Sequence, residues 1–588
     1  MKLSTILQAV ITKGVEDSGC FSSGVSGSEG SGTLRNREDK RPDPEIRSIH
    51  YRAQDVLPGG LFVAIPGLKA DGHDFIHEAL SKGASAILTQ KPVCRLSLNP
   101  SAGSGGLADK PAGSERTEQK VVFVEVENTR KALAAISARF YGNPSEKLFL
   151  IGITGTNGKT TTSFLIESIL AKAGFKVGVI GTINYHYSGK TFKNPVTTPE
   201  SADLQRILSE MHTDGVTHVV MEVSSHAIDL CRIDHCWIDI GVFVNLSQDH
   251  LDYHGDMNSY WLCKKRLFTE NLTSGPKKGR TMSVINCGND KGKELAGSIC
   301  VSSLTAGHTD ADAVSPRNVK INLDGITGRI ATPVGDFEIR SSFVGKYNLE
   351  NILCAAAVGV ALHVPLDVIK TGIEDVSCVP GRMERVPNDK GRFVYVDFAH
   401  TPDALENVLS SLKSLGSGRL ICVFGCGGDR DKTKRPRMGR IAGTLCDLAV
   451  ITSDNPRSEK PTEIIGQILE GIKQVLSLEY HPSELGAGFR REGYVVQPDR
   501  KLAIQLGIQA SQPGDTVLIA GKGHETYQII GGTSDPFDDR MEAKAALSSV
   551  SGGKPPTVFP SGVPVMERSH LTVAEGGKSL NQQGPKIH

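Results

Sequence analysis

Apolar residues along this chain fall into short continuous runs separated by stretches with helical spacing. From Leu148 the chain reads LFLIGITGTNGKTTTSFLIESILAKAG. That is one buried strand, a glycine turn, and then apolar positions at the period of an amphipathic helix. Upstream, between about residues 43 and 144, apolar runs at Leu61–Ile65, Ala84–Leu88 and Val121–Val126 alternate with helical stretches at Asp74–Lys82 and Arg130–Phe140. Downstream, strands are predicted at Val177–Gly181, His218–Val223, Ile238–Val244 and Met282–Asn286. A third block starts near Ser341, with a helix over 348–362 and strands at Val394–Phe398, Leu420–Gly425, Leu448–Thr452 and Thr516–Ala520. Strands alternating with helices in this way predict an α/β protein with a parallel sheet in each block.

Two segments interrupt the pattern, 18–42 and 97–118, and a third, 549–588, ends it. All three are rich in Gly, Ser and Pro or charge and poor in apolar residues, so they are expected to be flexible. The first residues, MKLSTILQAVITKG, read as a short amphipathic helix rather than a signal peptide. Composition narrows the function. Among 588 residues, Lys plus Arg is 66 and Asp plus Glu is 65, a net charge of +1. A dedicated nucleic-acid binder would show a basic surplus, so no nucleic-acid partner is expected. No apolar run approaches the ~20 residues of a membrane span, so no membrane partner is expected either. The 12 cysteines include no CxxC pair. Cys422 and Cys426 alone do not make a structural zinc site, and a reduced cytoplasmic setting fits best. A monomer is expected.

The sharpest chemical feature is Gly155-Thr156-Asn157-Gly158-Lys159-Thr160-Thr161, between a strand and a helix. Backbone N–H groups of such a turn, with the helix N-terminus, can bind phosphate. Lys159 can reach the terminal phosphates and Thr160 can ligate Mg²⁺. The loop departs from a full Walker A because Ile153 stands where that motif has glycine. Glu222 ends a strand, where a phosphate-loop protein would hold Mg²⁺, or it is a solvated strand-end carboxylate. His250 and Asp252 lie in the polar cluster Asn245–Gly255, at the carboxyl end of a predicted parallel strand where α/β proteins bind ligands. His250 is either metal-proximal or structural. Lys264, by spacing alone, reads as a surface lysine on a helix.

These residues, with GTNGKTT (155–161), TTPES (197–201), MEVSSHAIDLCRI (221–233), NLSQDHLDYHGDM (245–257), YWLCKKRLF (260–268), GKYNLENILCA (345–355), GRMERV (381–386), DFAHTPDAL (397–405), FGCGGDRDKTKRP (424–436), DNPR (454–457) and GKGHETYQ (521–528), resemble the Mur ligase family of ATP-dependent amide-bond ligases in peptidoglycan precursor synthesis. The motifs span about residues 46–542 in the family's order. The resemblance implies three domains. Residues 1–144 would bind a uridine nucleotide substrate, 145–340 would be a central P-loop-type ATPase domain, and 341–548 a C-terminal Rossmann-like domain for the amino acid.

It also implies site residues. ATP would sit on Gly155–Thr161, and Mg²⁺ on Thr160, Glu222, His250 and a carbamylated Lys264, with Lys159, Glu222, His250 and Lys264 as the catalytic group. A carbamate turns an amine into an oxygen ligand for a second Mg²⁺. Tyr51, Thr197, Thr198, Ser224 and Arg232 match contacts to UDP-N-acetylmuramoyl-L-alanyl-D-glutamate. Tyr51 lies in His50-Tyr51-Arg52, where the family usually has Asp-Ser-Arg, and Leu230 replaces a frequent Gln. Arg430, Asp454, Asn455, Pro456, Arg457, Gly521 and Glu525 match contacts to meso-diaminopimelate. A guanidinium at 457 favours that substrate over lysine, which has no distal carboxylate. Alternatives are a lysine-adding relative, another ligase of the family, and a catalytically silent scaffold.

Overall fold

The computed structural model describes residues 1–11, 42–67, 70–92, 121–416 and 418–550. The segments 18–42 and 97–118 and the tail 549–588 lie outside these residues, apart from Pro42, Ser549 and Val550.

Strands whose residues are apolar throughout are buried on both faces and pair in parallel. The first sheet has the order Ile49–His50, Leu61–Val63, Ala86–Thr89, Val122–Glu125, all parallel. The helix Leu3–Ile11 buries Leu3, Ile6 and Leu7 in its core. The central sheet has eight strands: Ser302–Ala306, Met282–Asn286, Ile240–Phe243, Phe149–Thr154, His218–Glu222, Val177–Ile180, Tyr185–Tyr187 and Lys190–Phe192. The third runs Glu384–Arg385, Phe393–Asp397, Thr516–Ala520, Leu420–Phe424, Leu448–Ile451, Gly493–Val496.

The expected parallel sheet is present in each block, and two of the sheets also carry antiparallel edge strands. Tyr185–Tyr187 and Lys190–Phe192 close the central sheet as antiparallel strands, and Glu384–Arg385 does the same at the edge of the third. A separate antiparallel meander, Ser315–Asn322, Gly325–Thr332 and Gly335–Ser341, follows the central sheet. In its last strand Phe337, Ile339 and Ser341 are buried while Asp336, Glu338 and Arg340 are exposed. This period-two pattern marks a sheet wet on one side.

The helix Lys346–Ala361 buries residues from Leu349 to Ala361 on nearly all sides, as a helix apolar all round must. It packs with the helices Lys159–Lys172 and Leu366–Glu374 into the central core, not into the third unit that its place after residue 341 suggested. Gly372 allows the closest approach: a Cβ there would lie 2.6 Å from Ile169 Cα. In the helix Lys159–Lys172, Leu165, Ile166, Ile169 and Leu170 are buried, each contributing roughly 1.5–3 kcal/mol. The helix that carries Lys159 is therefore a rigid platform.

Polar bridges join the units. Tyr51 donates to Asp203 at 2.6 Å, and Arg130 bridges the carbonyl of Pro66 (2.8 Å) to Glu200 (3.0 Å). The backbone N–H of Gln248 donates to Asp403 at 2.7 Å. Arg130 lies in the first turn of the helix Thr129–Phe140, whose N-cap Asn128 accepts from the backbone of Arg130 and Lys131, each at 3.0 Å. Asn128→Ala should therefore cost about 1 kcal/mol. A lower urea midpoint of the first unit would register it, and an unchanged midpoint would show that the cap is dispensable.

Candidate active site

The phosphate loop turns directly off a buried strand. Gly158, at φ +85°, occupies a left-handed conformation that favours glycine, and from it the helix starts at Lys159. The loop is held from outside by the segment 245–247. Asn157 N donates to Asn245 Oδ1 at 2.9 Å, Thr156 N to the carbonyl of Asn245 at 3.1 Å, and Ser247 N to Thr156 Oγ1 at 3.0 Å. Lys159 folds back, its Nζ donating to the carbonyls of Gly155 and Thr156 at 2.9 Å each. Burial lowers the ammonium's pKa, opposed by the charges of Glu222 and Asp249. Thr160 and Thr161 are buried on the first helical turn.

Glu222 is not a solvated strand end: it is 1% exposed. Its Oε1 accepts from Thr182 N and its Oε2 from Thr182 Oγ1, both at 2.9 Å. Lys264 is not a surface lysine either. It is 1% exposed, donates to the carbonyl of Gly155 at 2.9 Å, and lies 4.5 Å from the centre of the Tyr260 ring. Burial, then repulsion from Lys159, pushes its amine well below the ordinary lysine value. His250 adopts a left-handed φ of +54° and is itself exposed, 3.5 Å from Asp249. Its imidazole packs edge-on to His226 with ring centres 4.8 Å apart. Partial desolvation of the ring by the groups packed around it lowers its pKa, with Asp249 opposing and Lys159 and Lys264 reinforcing. Asp252 lies in the short helix Leu251–His254 beside it.

The oxygens of Thr160 and Glu222 suit a hard divalent cation that keeps most of its ligands from phosphates and water. Among the described residues no three His, Cys, Asp or Glu side chains could hold a metal by themselves. Lys264 as an amine donates to a carbonyl and fits no metal. Burial favours the neutral amine, and the neutral amine is the form that can take up CO₂.

Next to the loop lie the residues expected at the nucleotide-peptide substrate. Thr198 is fully buried, donating to the carbonyl of Glu222 at 2.8 Å and accepting from Ser224 N at 3.1 Å. Thr197 Oγ1 is 3.1 Å from Thr182 Oγ1. Arg232 donates through Nη1 to the carbonyl of Thr198 at 3.1 Å, and its Nε lies 3.5 Å from Glu200, buried with no hydrogen-bond partner. Tyr51 is tied to Asp203, as above.

In the third unit the expected amino-acid contacts follow three adjacent parallel strands at their carboxyl ends, where open α/β sheets bind ligands. Arg430 follows Leu420–Phe424; it is exposed and donates to the carbonyl of Asp429 at 3.0 Å. Asp454, Asn455, Pro456 and Arg457 follow Leu448–Ile451, the first three buried. Gly521 and Glu525 follow Thr516–Ala520, and Asn455 Nδ2 donates to Glu525 Oε2 at 2.8 Å.

Residue-level reading missed several groups here. Arg382, from GRMERV, places Nη2 3.4 Å from Thr160 Oγ1 and its guanidinium 4.5 Å from the centre of the Phe398 ring. Its Nε is buried with no hydrogen-bond partner. Asp397 accepts from the backbone of Met383 at 2.7 Å and Ala399 at 2.8 Å, with its pKa raised by burial and opposed by Arg382. Thr182 and Glu200 orient Glu222 and Arg232. Arg382 and Asp397 stood inside recognised motifs, and that was the available signal.

A phosphate loop with a half-buried lysine, facing a buried carboxylate, a buried amine and an arginine from another unit, is the site of a nucleotide-dependent group-transfer enzyme. Family models match in order: Mur ligase family, catalytic domain, at residues 45–141; Mur ligase middle domain at 153–359; and Mur ligase, glutamate ligase domain, at 381–523. The chain is 45% identical over 507 residues to the UDP-N-acetylmuramoyl-L-alanyl-D-glutamate--2,6-diaminopimelate ligase of Geobacter metallireducens, covering 86% of this chain and 95% of that one. It is 42% identical over 506 residues to the ligase of the same name from Bacillus licheniformis, with 86% and 95% coverage. A solved structure of a ligase with that name superposes with a TM-score of 0.58 at 29% identity, over 88% of this chain and 97% of that one. The chain belongs to the Mur ligase family.

Proposed function

We propose that this protein is an ATP-dependent ligase that joins meso-diaminopimelate to UDP-N-acetylmuramoyl-L-alanyl-D-glutamate. The observation that carries the reading is the arrangement of Arg457, Asn455 and Glu525 after neighbouring strands at the carboxyl edge of the third sheet. A guanidinium and a carboxylate at one sheet edge match a distal centre bearing both carboxylate and ammonium.

The terminal carboxylate of the UDP-linked substrate attacks the γ-phosphorus of ATP. The bond from that phosphorus to the β,γ-bridging oxygen breaks, and the products are ADP and an acyl phosphate. The substrate amine, having lost its proton, then attacks the acyl carbon, and phosphate leaves as the amide forms. Lys159 and Arg382 offset the charge of the phosphates, and Arg232 orients the UDP-linked substrate. Thr160 and Glu222 would hold Mg²⁺, which supplies charge neutralisation when bound, and carbamylated Lys264 with His250 would complete a second site. The contact of Gln248 with Asp403 ties the third unit to the segment that holds the loop, and closure of that kind would limit hydrolysis of the acyl phosphate. No nucleophilic side chain is required. A monomer acting in the cytoplasm fits this reading, and among the described residues no helix is long and apolar enough to cross a membrane.

Phosphate release with ATP and the UDP-linked dipeptide should require meso-diaminopimelate and be at least about 10²-fold slower with lysine, because the latter leaves Arg457 unpaired. Release with lysine alone would assign the chain to lysine addition, and release with neither would favour the scaffold.

A further inference from the structure

Lys522 is a charged side chain with 0% of its surface exposed. Burying an ammonium is costly unless every donor finds a partner, and an apolar residue would fill the space without that cost. The Lys522 Nζ donates to Asn455 Oδ1 and to Glu525 Oε2, both at 3.0 Å, and lies 5.6 Å from the centre of the Tyr527 ring. Both partners are side chains placed above at the distal end of the amino acid. Neither is needed to hold the strand Thr516–Ala520, which is buried in its own apolar core.

The bond pattern determines an orientation. Lysine ammonium and backbone N–H only donate. Asn455 Oδ1 receives both Lys522 Nζ and Ile529 N, the latter at 3.0 Å, so this atom must be the oxygen. The amide nitrogen is thereby turned to Glu525 Oε2, 2.8 Å away. With Oε2 occupied by two donors, Oε1 is the oxygen left for a further cation. The turn is equally constrained: Glu525 N donates to the carbonyl of Lys522 at 3.0 Å, and a Cβ on Gly523 would lie 2.7 Å from that of Phe398.

We infer that Lys522 is a positioning residue for substrate selection, fixing the Asn455 amide and with it the Glu525 carboxylate so that Glu525 Oε1 receives the distal ammonium of the incoming diamino acid. The inference rests on the proposed diaminopimelate-adding reaction. It adds that discrimination depends on a buried lysine that touches no substrate.

The test compares meso-diaminopimelate with 2-aminopimelate, which keeps the distal carboxylate and lacks the distal amine. In Lys522→Met the KM for meso-diaminopimelate should rise roughly tenfold or more, the effect of losing a charge-assisted bond at a buried acceptor. The KM for 2-aminopimelate, ATP and the UDP-linked substrate should stay within about twofold, since none of them uses the Glu525 carboxylate. The preference for the diamino acid would thus collapse. Glu525→Gln and the double variant should show the same collapse with no further loss, because the lysine acts through the glutamate. Should Lys522→Met not fold, Lys522→Gln carries the same comparison. Equal loss with both amino acids, or an unchanged preference, overturns the inference while leaving the proposed reaction standing. A wild-type protein that releases no phosphate with meso-diaminopimelate overturns both.

Discussion

Lys264→Ala should lower turnover by about 10³-fold or more, while leaving the protein folded and its KM for the amino acid little changed. Nothing in the amine explains so large a loss. Lys264 as it stands makes one hydrogen bond, to the carbonyl of Gly155. Its value lies in what burial does to it. The side chain is closed off from solvent, next to the ammonium of Lys159, and both influences favour the neutral amine. A neutral amine adds to CO₂, forming an N–C bond and releasing a proton, and becomes a carbamate. On the proposed reading, carbamylation would turn this neutral amine into an anion beside the phosphate loop, an oxygen ligand for a metal in place of a second cation next to Lys159. Three readouts separate this from a packing defect. Short carboxylic acids should partly restore Lys264→Ala by supplying the missing oxygen ligand. Removal of CO₂ should reduce wild-type activity, and bicarbonate should return it. Intact-mass measurement under CO₂ should find one adduct on the wild type and none on the variant. Full activity in Lys264→Ala would eliminate the carbamate from the reaction.

Lys264 also marks the boundary of what the chain discloses by itself. The phosphate loop is local: strand, glycine turn and helix follow one another within residues 149–172, so spacing alone identifies it. The burial of Lys264 is not local. It depends on which face of the helix Met257–Arg266 meets the sheet, and on Tyr260 and Gly155 arriving from either side. Glu222 behaves alike, its environment made by Thr182, forty positions away. Arg382 reaches Thr160 across 222 positions, a distance at which pattern carries no information. Errors in the fold have the same origin. The helix Lys346–Ala361 was visible as a helix, but its partner, the helix Lys159–Lys172, could not be inferred from position in the chain. The antiparallel meander was missed because its strands alternate with polar residues and lack the apolar runs that mark the parallel strands. Family motifs compensated at DNPR and GKGHE, where they named the residues that the third sheet then gathers at one edge.

Arg457→Ala should reduce kcat/KM for meso-diaminopimelate by about 10²–10³-fold, or ~3–4 kcal/mol, the range for truncating one partner of a hydrogen-bonded charge pair. The backbone supports a role beyond surface charge. Arg457 adopts a φ of +52°, which a side-chain-bearing residue seldom does without external restraint. The restraint is visible: its N–H donates to the carbonyl of Ile529 at 3.0 Å, and its own carbonyl accepts from Gly531 at 2.8 Å. The hairpin Tyr527–Ile530 and Thr533–Pro536 thus grips the residue from both sides. The guanidinium is placed in turn by Nη1 donating to the carbonyl of Gly428 at 2.8 Å. Gly427 leaves it room, since a Cβ there would lie 3.0 Å from Nη1. A restrained backbone and a tethered Nη1 hold the guanidinium in place, and its remaining donors form the planar fork that suits a carboxylate. Arg457→Lys should recover little, because a tetrahedral ammonium lacks the planar fork that presents two parallel N–H groups to a carboxylate while another holds Gly428. The loss should fall almost wholly on substrates with a distal carboxylate. Lysine, already poor, should change by less than about threefold, so the ratio between the two amino acids reports the guanidinium itself. A parallel loss with lysine would place Arg457 in the scaffold of the hairpin instead of in the recognition of the substrate.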